Sequence, residues 1–145
     1  MAVTETRAHV HPLRVYYEDT DAAGVVYYAN YLRYIERART EMLRDAGFDH
    51  IKLRQEQGLE FFVKSLSADY VAPARLDDSL EVHTRVVNLN GASMEAAQTV
   101  RRGTEDLVKC TVKLVCLNAK GRPARLPADL RARMQAYLSN PRRDN

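Results

Sequence analysis

The spacing of apolar residues changes along the chain, and each spacing predicts a different element. From residue 30 to residue 46 the apolar positions recur at steps of three and four, which predicts an amphipathic helix about 25 Å long. Asn30 is placed to cap its start, and Gly47 followed by Phe48 is placed to end it in a left-handed turn. The apolar stripe consists of Tyr31, Leu32, Ile35, Ala38, Met42, Leu43 and Ala46.

Strand-like stretches lie on both sides of this helix. One precedes it, over residues 11–17. The four that follow are residues 59–72, 79–89, 93–101 and 107–117. Turns at Asn90-Gly91, where Asn-Gly accepts positive φ, and at Gly103 join the last three, so we expect antiparallel pairing. Pro127 then begins a terminal helix whose apolar stripe is Leu130, Met134, Tyr137 and Leu138.

This order of elements predicts an α+β domain, in which a five-stranded antiparallel sheet accompanies one long helix and a short C-terminal helix. Its 145 residues suffice for one core. We expect a single domain over residues 11–139, with flexible ends at residues 1–10 and 140–145. One helix covers only one face of the sheet, so a partner subunit is expected over part of the other. Apolar residues predicted on that second face are Val87, Leu107, Val115 and Leu117.

Composition narrows the setting of the protein. The net charge of +3 is too small to indicate a nucleic-acid partner. No apolar run approaches the ~20 residues of a membrane span, and the first residues hold no signal-peptide core, which favours a cytoplasmic protein. Cys110 and Cys116 lie about 20 Å apart along one predicted strand, too far for a disulfide, so both are expected to be reduced core residues.

The chemistry concentrates just before the long helix, where Glu18, Asp19 and Asp21 precede Gly24. A carboxylate beside a helix N-terminus places an acid, base or nucleophile next to a site for negative charge, which suits acyl transfer. Spacing alone favours a plainer interpretation, in which Asp19 and Asp21 are turn or capping residues and Gly24 is a turn glycine.

A longer pattern resembles a known family. Residues 15–31 (Val-Tyr-Tyr-Glu-Asp-Thr-Asp-Ala-Ala-Gly-Val-Val-Tyr-Tyr-Ala-Asn-Tyr), together with residues 34–41 and 70–78, resemble the hotdog-fold acyl-CoA thioesterases. The branch most similar is the YbgC-type thioesterases of the 4-hydroxybenzoyl-CoA thioesterase family. The resemblance implies a sheet wrapped around the long helix and no cofactor. It also implies a homodimer with sheets joined edge to edge, further assembly to a homotetramer, and active sites at the dimer interface.

The same resemblance implies roles for individual residues. Asp21 matches the catalytic aspartate, which acts in this family either as a nucleophile or as a general base. Tyr28 matches the position whose backbone N–H polarises the thioester carbonyl, and Tyr17 matches a tyrosine near the site. YbgC-type members usually have histidine where this chain has Tyr28, but any non-proline residue keeps the N–H. Gly24 and Val25 are expected to contact substrate in the turn.

Coenzyme A carries several phosphates, so basic residues are expected at the mouth of the site. Lys64, Arg75, Arg101 and Arg102 lie in strands, at strand ends or in turns and can reach a phosphate. Ordinary surface charge is the alternative explanation for each of them.

The sequence thus predicts a thioester hydrolase that converts an acyl-CoA, with a short-chain or aromatic acyl group, to free acid and CoA. An acyl carrier protein is a further possible substrate carrier. Two alternatives are a non-catalytic acyl-CoA-binding hotdog protein and a hydroxyacyl-thioester dehydratase. The dehydratase needs a catalytic histidine, and none lies between His11 and His50. No two histidines have metal-ligand spacing, so no metal site is expected.

Overall fold

A computed structural model of the chain describes residues 7–138. Three α-helices and five strands account for most of these residues, and short 3₁₀ turns at Tyr17–Asp19 and Gln135–Tyr137 complete them. The elements are β1 (His9–Arg14), α1 (Asn30–Asp45), α2 (His50–Gln57), β2 (Glu60–Tyr70), β3 (Ser79–Leu89), β4 (Ser93–Arg102), β5 (Glu105–Leu117) and α3 (Ala128–Met134).

The strands form one antiparallel sheet in the order β1-β3-β4-β5-β2. Helix α1 packs against the inner face of this sheet, where it contacts β1, β3 and β4 and its buried side chains join the core. The α+β prediction is therefore confirmed, with the long helix against a five-stranded sheet.

The two ends of α1 differ in how well the sequence predicted them. At the C-terminal end, Gly47 has φ +93°, and the N–H of Phe48 donates to Leu43 O at 3.0 Å, which is the predicted left-handed ending. At the N-terminal end the prediction was wrong, because Ala29 occupies the capping position. Asn30 is instead the first helical residue, and its side chain bonds to Asp19.

Helix α2 was not predicted. Only Leu53 of this helix is buried, so it has no apolar stripe that a sequence pattern could reveal. Its boundaries do carry local signals. Asp49 Oδ1 accepts a hydrogen bond from the N–H of Lys52 at 2.8 Å, and Gly58 ends the helix with φ +66°. The first strand begins at His9, inside the segment expected to be a flexible end, and stops at Arg14, since Tyr17 already belongs to a 3₁₀ turn.

The turn between β3 and β4 differs from the predicted one. The predicted turn needs positive φ at Asn90 and Gly91, and neither residue has it. Among the residues the structure describes, Asp77 is the only non-glycine residue with positive φ. A three-residue connection closed by the Asn90 N–H to Ser93 O bond at 2.9 Å replaces the Asn-Gly turn. Gly103, with φ +62°, does form the predicted turn between β4 and β5.

One residue predicted on the outer face of the sheet lies in the core. Leu107 is fully buried, because the register of β4 and β5 shifts between Val100 and Arg101 and leaves Leu107 as an extra residue. Cys110 and Cys116 are buried and free, as expected. Burial raises the pKa of the Cys110 thiol to about 11, so this thiol is protonated at neutral pH.

The edge strand β2 is exposed along most of its length. Its large apolar side chains Phe62, Val63 and Leu66 are 61%, 42% and 38% exposed, respectively. An edge strand that offers unpaired backbone groups and apolar side chains is a natural site for pairing with another chain. None of the helices within residues 7–138 has the length and apolar character needed to cross a membrane.

Candidate active site

The residues before α1 form a narrow loop, here called the Asp21 loop (residues 20–26). Thr20 and Val26 pair as an antiparallel bridge at its base. Inside it, the Asp21 N–H donates to Val25 O at 2.9 Å and the Gly24 N–H donates to Asp21 O at 3.0 Å. Gly24 has φ +79°, a conformation that disfavours other residues. The loop therefore holds Asp21 beside a turn that glycine makes possible.

The Asp21 carboxylate is exposed and only half engaged. Its Oδ1 accepts a hydrogen bond from the Ala23 N–H at 2.9 Å, which is the local turn contact that aspartate commonly makes. The other oxygen, Oδ2, has no hydrogen-bond partner within residues 7–138. One oxygen thus orients the carboxylate while the other remains open to a substrate or a water molecule.

Asp19 connects this loop to α1. Its backbone oxygen accepts hydrogen bonds from the Tyr27 N–H at 3.0 Å and from Asn30 Nδ2 at 3.2 Å. Its carboxylate accepts from Asn30 Nδ2 at 3.2 Å and from the Tyr16 N–H at 2.8 Å. The capping role expected for Asp19 is present, and it makes this residue the junction between the 3₁₀ turn, the loop and the helix.

Tyr28 lies in the turn that leads into α1. The Asn30 N–H donates to Tyr27 O at 2.8 Å and the Tyr31 N–H donates to Tyr28 O at 3.3 Å, so the chain is already coiled before the helix begins. The N–H of Tyr28 has no acceptor among residues 7–138. Such free N–H groups at a helix start are donors for negative charge.

Tyrosine side chains surround the start of the helix. The ring of Tyr28 meets that of Tyr70 edge to face, with centroids 6.1 Å apart, and the Tyr31 hydroxyl accepts a hydrogen bond from the Ala74 N–H at 2.9 Å. Burial raises the pKa of Tyr31 and of Tyr70, which keeps both neutral. The resulting depression of about 250 Å³ is lined by Val26, Tyr28, Tyr31, Tyr70, Val71, Ala72 and Pro73. Tyr17, 83% exposed, is not among its lining residues.

Of the four basic residues predicted at the site, two bind carboxylates of the protein and two do not. Arg102 donates to Asp78 at 2.6 Å and to Glu105 at 2.9 Å, and Glu105 and Asp78 raise the pKa of its guanidinium. Arg101 Nε lies 2.9 Å from a carboxylate oxygen of Asp106, an ion pair without hydrogen-bond geometry. Both arginines are therefore occupied by carboxylates.

The other two basic residues, Arg75 and Lys64, have no ion-pair partner within residues 7–138. Arg75 forms a backbone bridge with Val25, so the structure brings it directly to the Asp21 loop. Lys64 is exposed in the edge strand β2, where the pairing register shifts between Val63 and Ser65. Only Arg75 is thus joined to the loop that carries Asp21.

A polar contact beneath α1 was not predicted from the sequence. Gln98 is completely buried, and its Nε2 donates to Ile35 O and to Thr84 Oγ1, both at 3.0 Å. Its Oε1 accepts from Arg39 Nη1 at 3.1 Å. A signal was present, because Gln98 interrupts the inward apolar series of Met94, Ala96 and Val100 in β4. Three or more metal-ligating side chains do not cluster anywhere in the described part of the chain.

Several proteins of known sequence or structure are similar to this chain. An acyl-CoA thioesterase YbgC from Haemophilus influenzae is 48% identical over 122 residues, 83% of this chain and 90% of the relative. An acyl-CoA thioester hydrolase YbgC from Escherichia coli is 43% identical over 121 residues, 82% of this chain and 90% of the relative. The crystal structure of a probable thioesterase from Bartonella henselae has 38% identity and a TM-score of 0.78, and the match covers 83% of this chain and 99% of that protein.

The five-stranded antiparallel sheet packed on one long helix is the hotdog fold, which the probable thioesterase from Bartonella henselae shares. The family model for the thioesterase-like superfamily matches residues 15–134, and the chain belongs to that family. The predicted resemblance and the predicted class of enzyme, a thioester hydrolase, are both confirmed.

Proposed function

We propose that this protein hydrolyses the thioester of an acyl-CoA to a free acid and CoA, with Asp21 as the reacting carboxylate. The observation that carries the proposal is a juxtaposition in one short segment. A half-engaged carboxylate at Asp21 is tied through Asp19 to the start of α1, where the Tyr28 N–H is free to donate. A carboxylate and an oxyanion donor are the two groups that thioester hydrolysis needs most.

Two routes use these groups. As a general base, Asp21 takes a proton from water while the water oxygen attacks the carbonyl carbon. The Tyr28 N–H then stabilises the oxyanion, the C–S bond breaks and the thiolate receives the proton. As a nucleophile, Asp21 forms a mixed anhydride with the acyl group and releases CoA, and water cleaves the anhydride. Appearance of ¹⁸O in the Asp21 carboxylate after single turnover in ¹⁸O water would establish the nucleophilic route with attack of water on the Asp21 carbon, because the general-base route places the label only in the acid.

The substrate proposal follows the surroundings of the Asp21 loop. The tyrosine-lined depression offers an apolar and aromatic surface for a short-chain or aromatic acyl group. Gly24 and Val25 would contact the thioester from the loop itself. Tyr17 would act from the 3₁₀ turn that precedes the loop. A CoA moiety or the equivalent arm of an acyl carrier protein would extend from the same opening.

Phosphate contacts are proposed for the four basic residues that the sequence indicated, Lys64, Arg75, Arg101 and Arg102. Arg75 is favoured, because it lies next to the Asp21 loop and has no carboxylate partner among the described residues. Lys64 is likewise free for such a contact. Arg101 and Arg102 would each have to exchange a carboxylate for a phosphate, which reduces the gain in binding energy.

We further propose a cytoplasmic homodimer that assembles to a homotetramer. The exposed apolar side chains of the edge strand β2 support pairing through that edge. Light scattering on the purified protein measures the mass directly, and a monomer at working concentrations would refute this arrangement.

Release of thiol from a panel of short, long, branched and aromatic acyl-CoA thioesters tests the reaction. The same acyl groups on an acyl carrier protein test the carrier. We expect turnover with at least one acyl-CoA class. Binding of acyl-CoA without thiol release from any member of the panel would contradict the proposal and favour a non-catalytic acyl-CoA-binding protein.

A further inference from the structure

A second cavity lies between α1 and the sheet, away from the Asp21 loop. Its volume is about 180 Å³, and methionine, leucine and phenylalanine side chains provide most of its lining. The apolar lining includes Met42, Met94, Leu114, Met134 and Phe61. Arg39 is one of four polar residues in the lining, with Glu36, Thr40 and His50.

The guanidinium of Arg39 is under-used. It has five N–H donors, and a single hydrogen bond, from Nη1 to Gln98 Oε1, is present within residues 7–138. No carboxylate of these residues lies within ion-pair distance of it. Partial burial lowers the pKa of Arg39, yet an arginine remains charged in proteins. Glu36 attracts this charge from beyond ion-pair distance, so the guanidinium keeps hydrogen-bond donors that a bound anion could accept from.

The cavity and the tyrosine-lined depression lie along one side of α1. Tyr31, Ile35 and Arg39 are spaced four residues apart, so they form one row on the helix, about 12 Å from first to last. Tyr31 lines the depression and Arg39 lines the cavity.

The inner face of the edge strand β2 follows the same row. Tyr70, Leu66 and Val63 pair with inward-facing residues of β5, so they face the helix. Tyr70 lines the depression, and Val63 lines the cavity. The depression and the cavity therefore lie between the same two elements, α1 and β2, at opposite ends of this row.

We infer that Arg39 binds a terminal carboxylate of the acyl group, so that the site accepts medium-chain acyl thioesters that end in a carboxylate. This inference rests on the proposed function, and it names a substrate class for it. An acyl chain attached near Asp21 would pass from the depression between α1 and β2 and end at the cation. The planar fork of a guanidinium matches both oxygens of a carboxylate, whereas an unsubstituted alkyl end leaves the charge unpaired.

The other polar residues of the cavity fit this assignment. Glu36 is exposed and attracts Arg39 only from beyond ion-pair distance, so the hydrogen-bond donors of the guanidinium remain available. Thr40 and His50 also line the cavity and provide further hydrogen-bonding groups for a carboxylate. Gln98 fixes the guanidinium from beneath, since its own amide group is held by Ile35 O and Thr84 Oγ1.

Two CoA thioesters of equal chain length test the inference, suberyl-CoA with a terminal carboxylate and octanoyl-CoA without one. Binding is measured by titration calorimetry in the Asp21→Asn background, which prevents turnover. We expect suberyl-CoA to bind more tightly than octanoyl-CoA. Arg39→Met should weaken the binding of suberyl-CoA at least about tenfold, because one hydrogen-bonded charge is lost. The same variant should bind octanoyl-CoA more tightly. Arg39→Lys keeps the charge but loses the planar fork of the guanidinium. Its affinity for suberyl-CoA should lie between that of Arg39→Met and that of the protein with Arg39 unchanged.

Arg37→Met is the matched control, because Arg37 is exposed on the same helix and its loss changes the net charge equally. It should preserve the preference for suberyl-CoA. Equal affinity for the two ligands, binding of neither, or an equal effect of the two methionine variants would overturn the inference. So would a change of molecular mass in Arg39→Met without a change of preference, which would assign Arg39 to a contact between copies.

Turnover by the wild-type protein separates this inference from the proposed function. Hydrolysis of both thioesters at equal kcat/KM would leave the function standing and remove the role of Arg39. Selective binding of suberyl-CoA without release of thiol from any thioester would support the site and contradict the hydrolase.

Discussion

Asn30 Nδ2 lies 3.2 Å from both the backbone oxygen and Oδ1 of Asp19, so one amide group ties the first turn of α1 to the segment that carries Asp21. Tyr27 adds a backbone hydrogen bond to the same Asp19 oxygen at 3.0 Å. Because α1 is anchored in the core, this junction transmits the position of the helix to the loop. The same junction therefore holds both the proposed carboxylate of Asp21 and the proposed oxyanion donor, the Tyr28 N–H.

Loss of this junction should affect turnover more than folding. Asn30→Ala removes both side-chain hydrogen bonds, for which we expect a loss of about 1–2 kcal/mol in the free energy of unfolding. The less constrained loop should lower kcat about tenfold or more with little change in KM, since small displacements of a catalytic group are costly. Steady-state kinetics and urea unfolding measure the two effects.

Asn88→Ala, at an exposed position of β3, is the control for loss of an asparagine side chain. It should alter neither kcat nor stability appreciably. If Asn30→Ala kept the wild-type kcat despite reduced stability, the junction would be structural only.

Gly24→Ala should distort the Asp21 loop through backbone strain alone. A Cβ at residue 24 would meet no atom within 4 Å, but φ is +79°, which costs a non-glycine residue about 1–2 kcal/mol. Gly91→Ala is the matched control, because residue 91 lacks positive φ and its Cβ would make ordinary contact with Arg125. We expect reduced kcat and thermal stability only for Gly24→Ala. Equal behaviour of the two variants would show that the loop conformation does not depend on glycine.

The backbone of Tyr28 should matter more than its side chain. Tyr28→Phe keeps the N–H and the ring, so kcat should stay close to that of the wild type. Tyr28→Pro removes the N–H, and loss of one oxyanion donor typically lowers kcat by about 10²–10³. Circular dichroism confirms that the proline variant is folded. A folded proline variant with wild-type kcat would exclude this N–H as the donor.

Asp78 should contribute a pH-dependent part of the stability. Burial alone would raise the pKa of Asp78, but hydrogen bonds from the Arg75 N–H and the Arg102 guanidinium bring it below its ordinary value. A lowered folded pKa means that the stabilisation is present above pH ~4 and is lost as the pH falls through the folded pKa. Asp78→Asn should therefore be less stable than the wild type at pH 7, by about 1 kcal/mol, and this difference should shrink towards pH 2.

Asp69→Asn, at an exposed position of β2, serves as the control and should show no such trend. Thermal unfolding from pH 2 to pH 7 follows both variants. A stability difference for Asp78→Asn that stayed constant over this range would show that its charge is not what stabilises the fold.

Local signals predicted those parts of the fold that depend on neighbouring residues. The end of α1 at Gly47 needs only a left-handed residue after an amphipathic stripe, and both are visible in the sequence. The turn at Asn90-Gly91 was misjudged, because its conformation is set by the strands on either side. Helix α2 was missed, because a helix that buries only Leu53 leaves almost no periodic pattern.

In the candidate site, too, features set by neighbouring residues were predicted and features set by long-range packing were not. The position of Asp21 before a helix, and the turn at Gly24, follow from residues close in the chain. The contact of Arg39 with Gln98 joins α1 to β4 across 59 positions of sequence, and the contact of Tyr28 with Tyr70 joins the helix start to β2. Only the packing of the sheet around α1 brings these pairs together. A polar residue at an inward strand position, as at Gln98, is nevertheless a signal that a buried polar partner exists.

The role of Asp21 is the central claim, and turnover of the Asp21→Asn variant measures it most directly. Asparagine preserves the size of the side chain and an oxygen that can accept the Ala23 N–H, but it can act neither as a base nor as an effective nucleophile. With Glu18→Gln as a control for loss of one nearby exposed carboxylate, thiol release from the best acyl-CoA substrate is followed for both variants. We predict that Asp21→Asn lowers kcat at least about a hundredfold while acyl-CoA binding persists, and that Glu18→Gln remains active. Wild-type turnover by the Asp21→Asn variant would contradict the account.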